Sequence, residues 1–276
     1  MDLNAIRSKL NSLQQQNKGN GGSNQSLFWK PSVGKQVVRI VPNKFNKANP
    51  FTEVYFHYGI GERVMISPIN HGEKDPIVEF AKQLRTTSDK ENWRLAKKLD
   101  AKMRVFAPVI VRGQEDEGVK LWQFGKEMYM DFLNLADNED VGDFTDVSTG
   151  RDITLTTVGP EVTGTNYNKT TIMPKVKETP LAASKDEVNA LLENQPNPME
   201  VFKRYSFEDM KAALQEWLTP EDPEEGSIID DEKEEAAPIT TGKAYSIKTP
   251  ASAQVSKADK FDALFEDEEE ITGSPF

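Results

Sequence analysis

The sequence predicts a mainly β chain of the α+β class, and three observations carry that reading. Five segments between residues 36 and 158 have strand composition, helical patterns interrupt and follow them, and every core-forming period stops after Leu218. At 276 residues the chain can enclose one sizeable core or two modest ones.

At the N-terminus, residues 2–16 set Leu3, Ile6, Leu10 and Leu13 at helical spacing, with Arg7 and Lys9 on other faces. Residues 1–18 therefore read as a detached amphipathic arm, too short to hold a helix without a surface to pack on. The polar run NKGNGGSNQS breaks the pattern, and 19–26 read as a linker. From Leu27 the composition turns β-rich, in QVVRIVP (36–42), FTEVYFHY (51–58), KMRVFAPVIVR (102–112), GVKLWQFG (118–125) and RDITLTTV (151–158). RGQEDEG (112–118) joins the third and fourth of these as a hairpin turn.

SDKENWRLAKKL opens on Ser88 with Glu91 three residues later, the pattern of a capping box. EMYMDFLNLA (127–136) reads as a second helix. SKDEVNALL and SFEDMKAALQEWL begin at Ser184 and Ser206, each with an acid at the third position. Short strands with helical insertions predict an OB-type β-barrel over 27–218, with helices at its C-terminal end. Residues 219–276 are dominated by Pro, Gly, Ser and acid, and read as a disordered acidic tail.

The formal charge of −11 conceals a partition. Residues 1–126 carry a net +9 and residues 127–276 a net −20. The tail alone, with 5 basic and 16 acidic residues, accounts for −11. The absence of cysteine excludes disulfides, thiolate chemistry and Cys-ligated metals. MDLNAIRSKL has no apolar h-region, and no run approaches the ~20 apolar residues of a membrane span, so a cytoplasmic protein is expected. Enzymatic signatures are scarce: there is no Gly-rich phosphate loop, no G-x-S-x-G and no H-E-x-x-H, and the histidines are two, His57 and His71. A non-enzymatic protein is expected.

The hairpin carries the most chemistry. Side chains alternate along a strand, so Val105, Ala107, Val109 and Val111 share one face of 102–112, leaving Arg104, Phe106, Pro108, Ile110 and Arg112 on the other. In its partner, Lys120, Trp122, Phe124 and Lys126 fall together. Aromatic rings among cations suit single-stranded nucleic acid, because bases stack on the rings while phosphates meet the cations. Core burial with snorkelling cations is the commoner fate of any one such aromatic, and it is the repeat of the pattern on two adjacent strands that sets the two readings level. ENWRLAKK adds Trp93, Arg94, Lys97 and Lys98, and QVVRIVPNKFNK adds Arg39, Lys44 and Lys47, either as solvated faces or as further contacts.

Together these segments resemble the T-even-type phage single-stranded DNA-binding (helix-destabilising) proteins. FWKPSVGKQVVRIVPNK is similar to the family's entry strand, PFTEVYFH to its next segment, KLWQFGKEMY to the strand-to-helix junction and NYNKTTIMP to the closing loop. The resemblance covers most of 1–180 and the acidic end. It implies an OB-fold core with a basic, aromatic cleft that covers single-stranded DNA cooperatively during replication, recombination and repair. Cleft positions fall on Arg39, Lys44, Trp93, Lys98, Phe106 and Trp122. It also implies self-association through the arm, at Leu3, Ile6, Arg7, Lys9 and Leu10, and a location in the host cytoplasm for a phage-encoded protein.

Family members typically fold a subdomain around zinc held by one His and three Cys. Here His57 matches the His, while Ser67, Asp75 and Val78 stand at the Cys positions. One imidazole, one carboxylate, a hydroxyl and a Val make a poor tetrahedral set. No metal is expected, with DPIVEFAKQL packing that region through Ile77, Val78, Phe80 and Leu84.

The resemblance gives the acidic tail the recruitment of replication partners. In FDALFEDEEE, Phe261, Leu264 and Phe265 fall at helical spacing, as a partner groove would read them. The surrounding acids could compete with phosphate for the basic half. A protein-interaction adaptor built around an inert barrel, and a metal-dependent nuclease, are the alternative readings.

Overall fold

The computed structural model describes residues 27–60 and 63–218. The expected arm, linker and tail lie outside the described residues. Among the described residues, eight strands and seven α-helices confirm an α+β chain with a mainly β core: β1 (Phe28–Trp29), β2 (Gly34–Ile40), β3 (Thr52–Ile60), β4 (Arg63–Ile66), α1 (Pro76–Thr86), α2 (Lys90–Leu99), β5 (Lys102–Val111), β6 (Lys120–Phe124), α3 (Lys126–Asp137), β7 (Arg151–Val158), α4 (Pro160–Thr163), β8 (Lys169–Glu178), α5 (Lys185–Glu193), α6 (Pro198–Val201) and α7 (Phe207–Leu218). Among the described residues no helix is long and apolar enough to cross a membrane.

The described part of the expected core divides into two units, one within 27–52 and 105–201 and the other within 53–104 and 202–218. In the first, strands run in the order β1-β6-β5-β2-β7-β8. β1 pairs with β6 in parallel, and the other neighbours on this path are antiparallel. Val38 opposite Ile153 begins the buried face of the β2–β7 pair, with Leu155 two residues further along β7. An aromatic cluster packs α3 onto the hairpin, with Phe132 of α3 against Trp122 and Phe124 of β6 and against Phe51. A smaller core gathers Val41, Ile110, Val119 and Leu181, with Val188, Leu191 and Leu192 packed against it.

In the second unit, α1 buries Ile77, Phe80, Ala81 and Leu84, and α2 buries Asn92, Leu95, Ala96 and Leu99. Both sets follow the i, i+3, i+4, i+7 spacing of one helix face. They meet Ile60, Met65 and α7 residues Met210 and Leu214 in one core, where each fully buried large apolar side chain contributes about 1.5–3 kcal/mol. The expected packing through Ile77, Phe80 and Leu84 is present, with Val78 half-buried.

Caps explain where the helices begin. Ser184 and Glu187 form the reciprocal capping box expected at α5, and Ser206 with Asp209 makes the same pair of bonds at α7. At α2 the expectation of Ser88 is corrected: Asp89 is the N-cap, its carboxylate accepting from the Glu91 amide at 2.9 Å. Either side chain can cap a helix, and the chain uses the acid one residue later.

Candidate nucleic-acid interface

The hairpin register corrects the expectation of one mixed aromatic and cationic face. Val105 lies opposite Phe124, Ala107 opposite Trp122 and Phe106 opposite Gln123. Residues directly opposite share a face, so Trp122 and Phe124 stand with the small aliphatics, on the other side of the sheet from Phe106. All three rings are buried. Trp122 meets Trp29, Phe124 and Phe132 edge to face, with centroids 5.6, 5.0 and 5.7 Å away, while Phe106 packs on Phe28 at 6.2 Å. These rings are core, and no base can stack on them in this structure.

Two predicted phosphate contacts are also structural. Arg39 has 0% exposure. Its Nη2 donates to the carbonyls of Asp146 at 2.6 Å and Thr179 at 2.9 Å, and its Nη1 to Thr179 Oγ1 at 3.2 Å. The Asp152 carboxylate lies 3.6 Å away. Burial pulls the Arg39 pKa down from its ordinary value, and Asp152 opposes it. Gly150 is required here, because a Cβ would collide with the guanidinium and with the Phe144 and Asp146 carbonyls.

Arg112 donates to Asp152 at 2.9 Å and to the carbonyls of Pro180 and Leu181 at 3.2 and 3.0 Å. The two arginines thus hold β2, β5, β7 and the 179–181 segment together. Arg104 is buried, its guanidinium 5.2 Å from the Tyr58 ring centroid. Lys120 is half-buried and 3.5 Å from Glu117. Lys126 is exposed at the start of α3.

The α2 cluster is where an interface can form. With Asn92, Leu95, Ala96 and Leu99 turned inward, the same periodicity turns Trp93, Arg94, Lys97 and Lys98 outward. Trp93 is 55% exposed. Lys97 lies one turn from Trp93, and Lys98 one turn from Arg94. None of the three cations has an ion-pair partner among the described residues. A solvated helix face accounts for the cations but not for a tryptophan left half in water.

A second exposed ring was not foreseen. Asn43 ties the loop after β2, donating to Thr52 Oγ1 at 2.9 Å and accepting from the Phe45 amide at 2.9 Å. Gln195 fixes the same loop by accepting from the Lys44 amide at 2.9 Å and donating to the Pro42 carbonyl at 2.7 Å. The loop presents Phe45, 48% exposed, between Lys44 and Lys47. Lys44 Nζ lies 5.9 Å from the Phe45 centroid and donates to the Glu193 carbonyl at 2.9 Å. Asn flanks Phe45 in the NKFNK stretch, a turn composition that argues against burial and could have singled it out.

At the implied zinc position, the donors are committed to one another. Asp75 Oδ2 accepts from His57 Nε2 at 2.8 Å and from the Ser67 hydroxyl. Asp75 Oδ1 caps α1 through the amides of Ile77 and Val78, at 2.9 and 3.1 Å. His57 Nδ1 faces the Leu99 carbonyl at 3.1 Å. Val78 has no donor side chain, so these residues do not fit a tetrahedral zinc site. Burial pushes the Asp75 carboxyl up, but hydrogen bonds from His57, its charge, the Ser67 hydroxyl and the Val78 amide outweigh it and hold the group below its ordinary value.

No curated protein matches the chain. A family model described as gp32 DNA binding protein like matches residues 32–218, spanning the described parts of both units. With more than half its length matched, and with exposed aromatic and basic clusters on α2 and on the loop after β2, the chain belongs to the gp32-like DNA-binding protein family.

Proposed function

We propose that this DNA-binding protein is a non-enzymatic, sequence-tolerant coat for single-stranded DNA. The observation that carries the reading is that Trp93 and Phe45, the two exposed aromatic rings among the described residues, each sit among cations. Stacking on such rings tolerates any base, and the cations follow the backbone. The sheet is read as OB-type, the arm through Leu3, Ile6, Arg7, Lys9 and Leu10 as the source of cooperative self-association, and the tail through Phe261, Leu264 and Phe265 as the recruiter of replication, recombination and repair proteins. Such a protein works in the cytoplasm, the host's for a phage-encoded chain.

Equilibrium titration tests this reading. Oligo-dT is expected to bind far more tightly than duplex of equal length and to quench tryptophan fluorescence, with affinity falling steeply as salt rises. Equal affinity for duplex and single strand would contradict it.

The reading includes no zinc. Support comes from the His57–Asp75–Ser67 cluster, whose hydrogen bonds join β3, the segment after β4, the start of α1 and the end of α2. Dialysis against EDTA is expected to leave both the melting temperature and oligo-dT affinity unchanged. Stoichiometric zinc in the purified protein, or unfolding on chelation, would contradict it.

A further inference from the structure

We infer that the open face of β2, β7 and β8 is a second contact surface for single-stranded nucleic acid, one that grips the phosphodiester backbone rather than the bases. The inference rests on the DNA-binding reading above and adds a site to it.

The register builds the face row by row. Lys35 pairs with Thr156, which pairs with Thr171; Val37 pairs with Thr154, which pairs with Met173; Val158 pairs with Lys169. Along β8 the alternation continues to Lys175. The opposite face of the same strands carries Val38, Ile153 and Leu155 into the core; on this side Arg39 and Asp152, the next positions along β2 and β7, are buried, and the rows from Val158 to Met173 are half-buried or exposed. Lys35, Lys169, Thr171 and Lys175 are exposed, and Met173 is 68% exposed. No acidic residue occupies these positions; the next on β7, Asp152, is buried and paired with Arg39 and Arg112, and none of the three lysines has an ion-pair partner among the described residues.

Charge complementarity selects the occupant. Lys169 and Lys175 stand roughly 20 Å apart along an extended strand, and Lys35 lies two strands in from that edge. Threonine hydroxyls between them can donate to phosphate oxygens, as side-chain hydroxyls commonly do at nucleic-acid backbones. Lysine on an edge strand is also a guard against strand pairing. That role does not account for Lys35, nor for Met173 exposed between the lysines. With no aromatic ring on the face, the contact supplies electrostatic affinity without base preference.

The test is the full-length triple variant Lys35→Gln, Lys169→Gln, Lys175→Gln, titrated with oligo-dT across a salt series. Each lost phosphate contact removes about 0.7 from the slope of log K against log salt for single strands, so three remove roughly 2. If affinities converge at 1 M, that is on the order of 100-fold at 0.1 M salt. In the wild-type chain, acetylation of the same three lysines is expected to be suppressed by oligo-dT, a readout independent of how the variant folds.

An unchanged slope with intact wild-type binding, or unprotected lysines, overturns this site and leaves the function standing. A rise in affinity assigns the lysines to the chain's own acidic segment and also overturns it. Failure of the wild-type chain to bind oligo-dT overturns the reading beneath.

Discussion

Replacing Asp75 by alanine is expected to lower the stability of the second unit by about 3–5 kcal/mol, since each buried donor left without its acceptor costs roughly 1–3 kcal/mol. The carboxylate accepts four hydrogen bonds, from the His57 ring, the Ser67 hydroxyl and the amides of Ile77 and Val78. Alanine leaves all four donors without their acceptor, three of them buried, and uncaps α1. Denaturant midpoints followed by a probe in this unit provide the measurement.

The effect has a defined pH dependence. The Asp75 pKa is lowered in the folded chain, because the bonds from His57, Ser67 and Val78 outweigh the burial that raises it. Its contribution is therefore complete above the unfolded value of about 3.9 and is lost as pH falls through the lower folded value. The stability gap between wild type and Asp75→Asn should narrow only in that acid window. A gap that is constant from neutral pH down to pH 2 would show that the carboxylate charge is not what the cluster uses.

Trp122→Ala is expected to cost about 3–5 kcal/mol, as deletion of a buried large aromatic does. Its ring is enclosed by Trp29, Phe124 and Phe132, and alanine leaves a cavity that the hairpin and α3 cannot close without moving. Any loss of DNA binding in this variant should track the unfolded fraction and disappear at low temperature or in a stabilising osmolyte. Trp93→Ala should do the reverse, changing stability by about 0.5 kcal/mol or less, as surface replacements usually do. A Trp122→Ala protein that melts like wild type and binds weakly would restore the ring to the interface.

The contrast between these tryptophans shows what the sequence could and could not reveal. Strand composition and turn residues were enough to identify the hairpin, and helical spacing was enough to group Trp93 with Arg94, Lys97 and Lys98. Alternation sorts one strand's side chains into two faces but does not say which face of the next strand lies beside them. That choice is made by register, and Ala107 opposite Trp122 reverses the expected grouping.

Arg39 and Arg112 looked like phosphate ligands because their partners are remote in sequence. Thr179 is 140 residues from Arg39, and Leu181 is 69 from Arg112. β8 was not foreseen as a strand because KTTIMPKVKE carries Pro174 and little apolar alternation. Proline is tolerated there because β8 is an edge strand. Phe45 stands in the turn stretch NKFNK, where strand alternation assigns it to no face.

On the proposed function, exposed rings among cations, rather than the aromatic hairpin, hold the single strand. Fluorescence titration of wild type, Trp93→Ala and Phe45→Ala with oligo-dT tests it most directly. Stacking contributes about 1–3 kcal/mol per base, so each variant should lose about 5- to 150-fold in affinity with an unchanged melting temperature. Trp93→Ala should also lose most of the tryptophan quenching. Wild-type affinity and quenching in both variants would contradict the account.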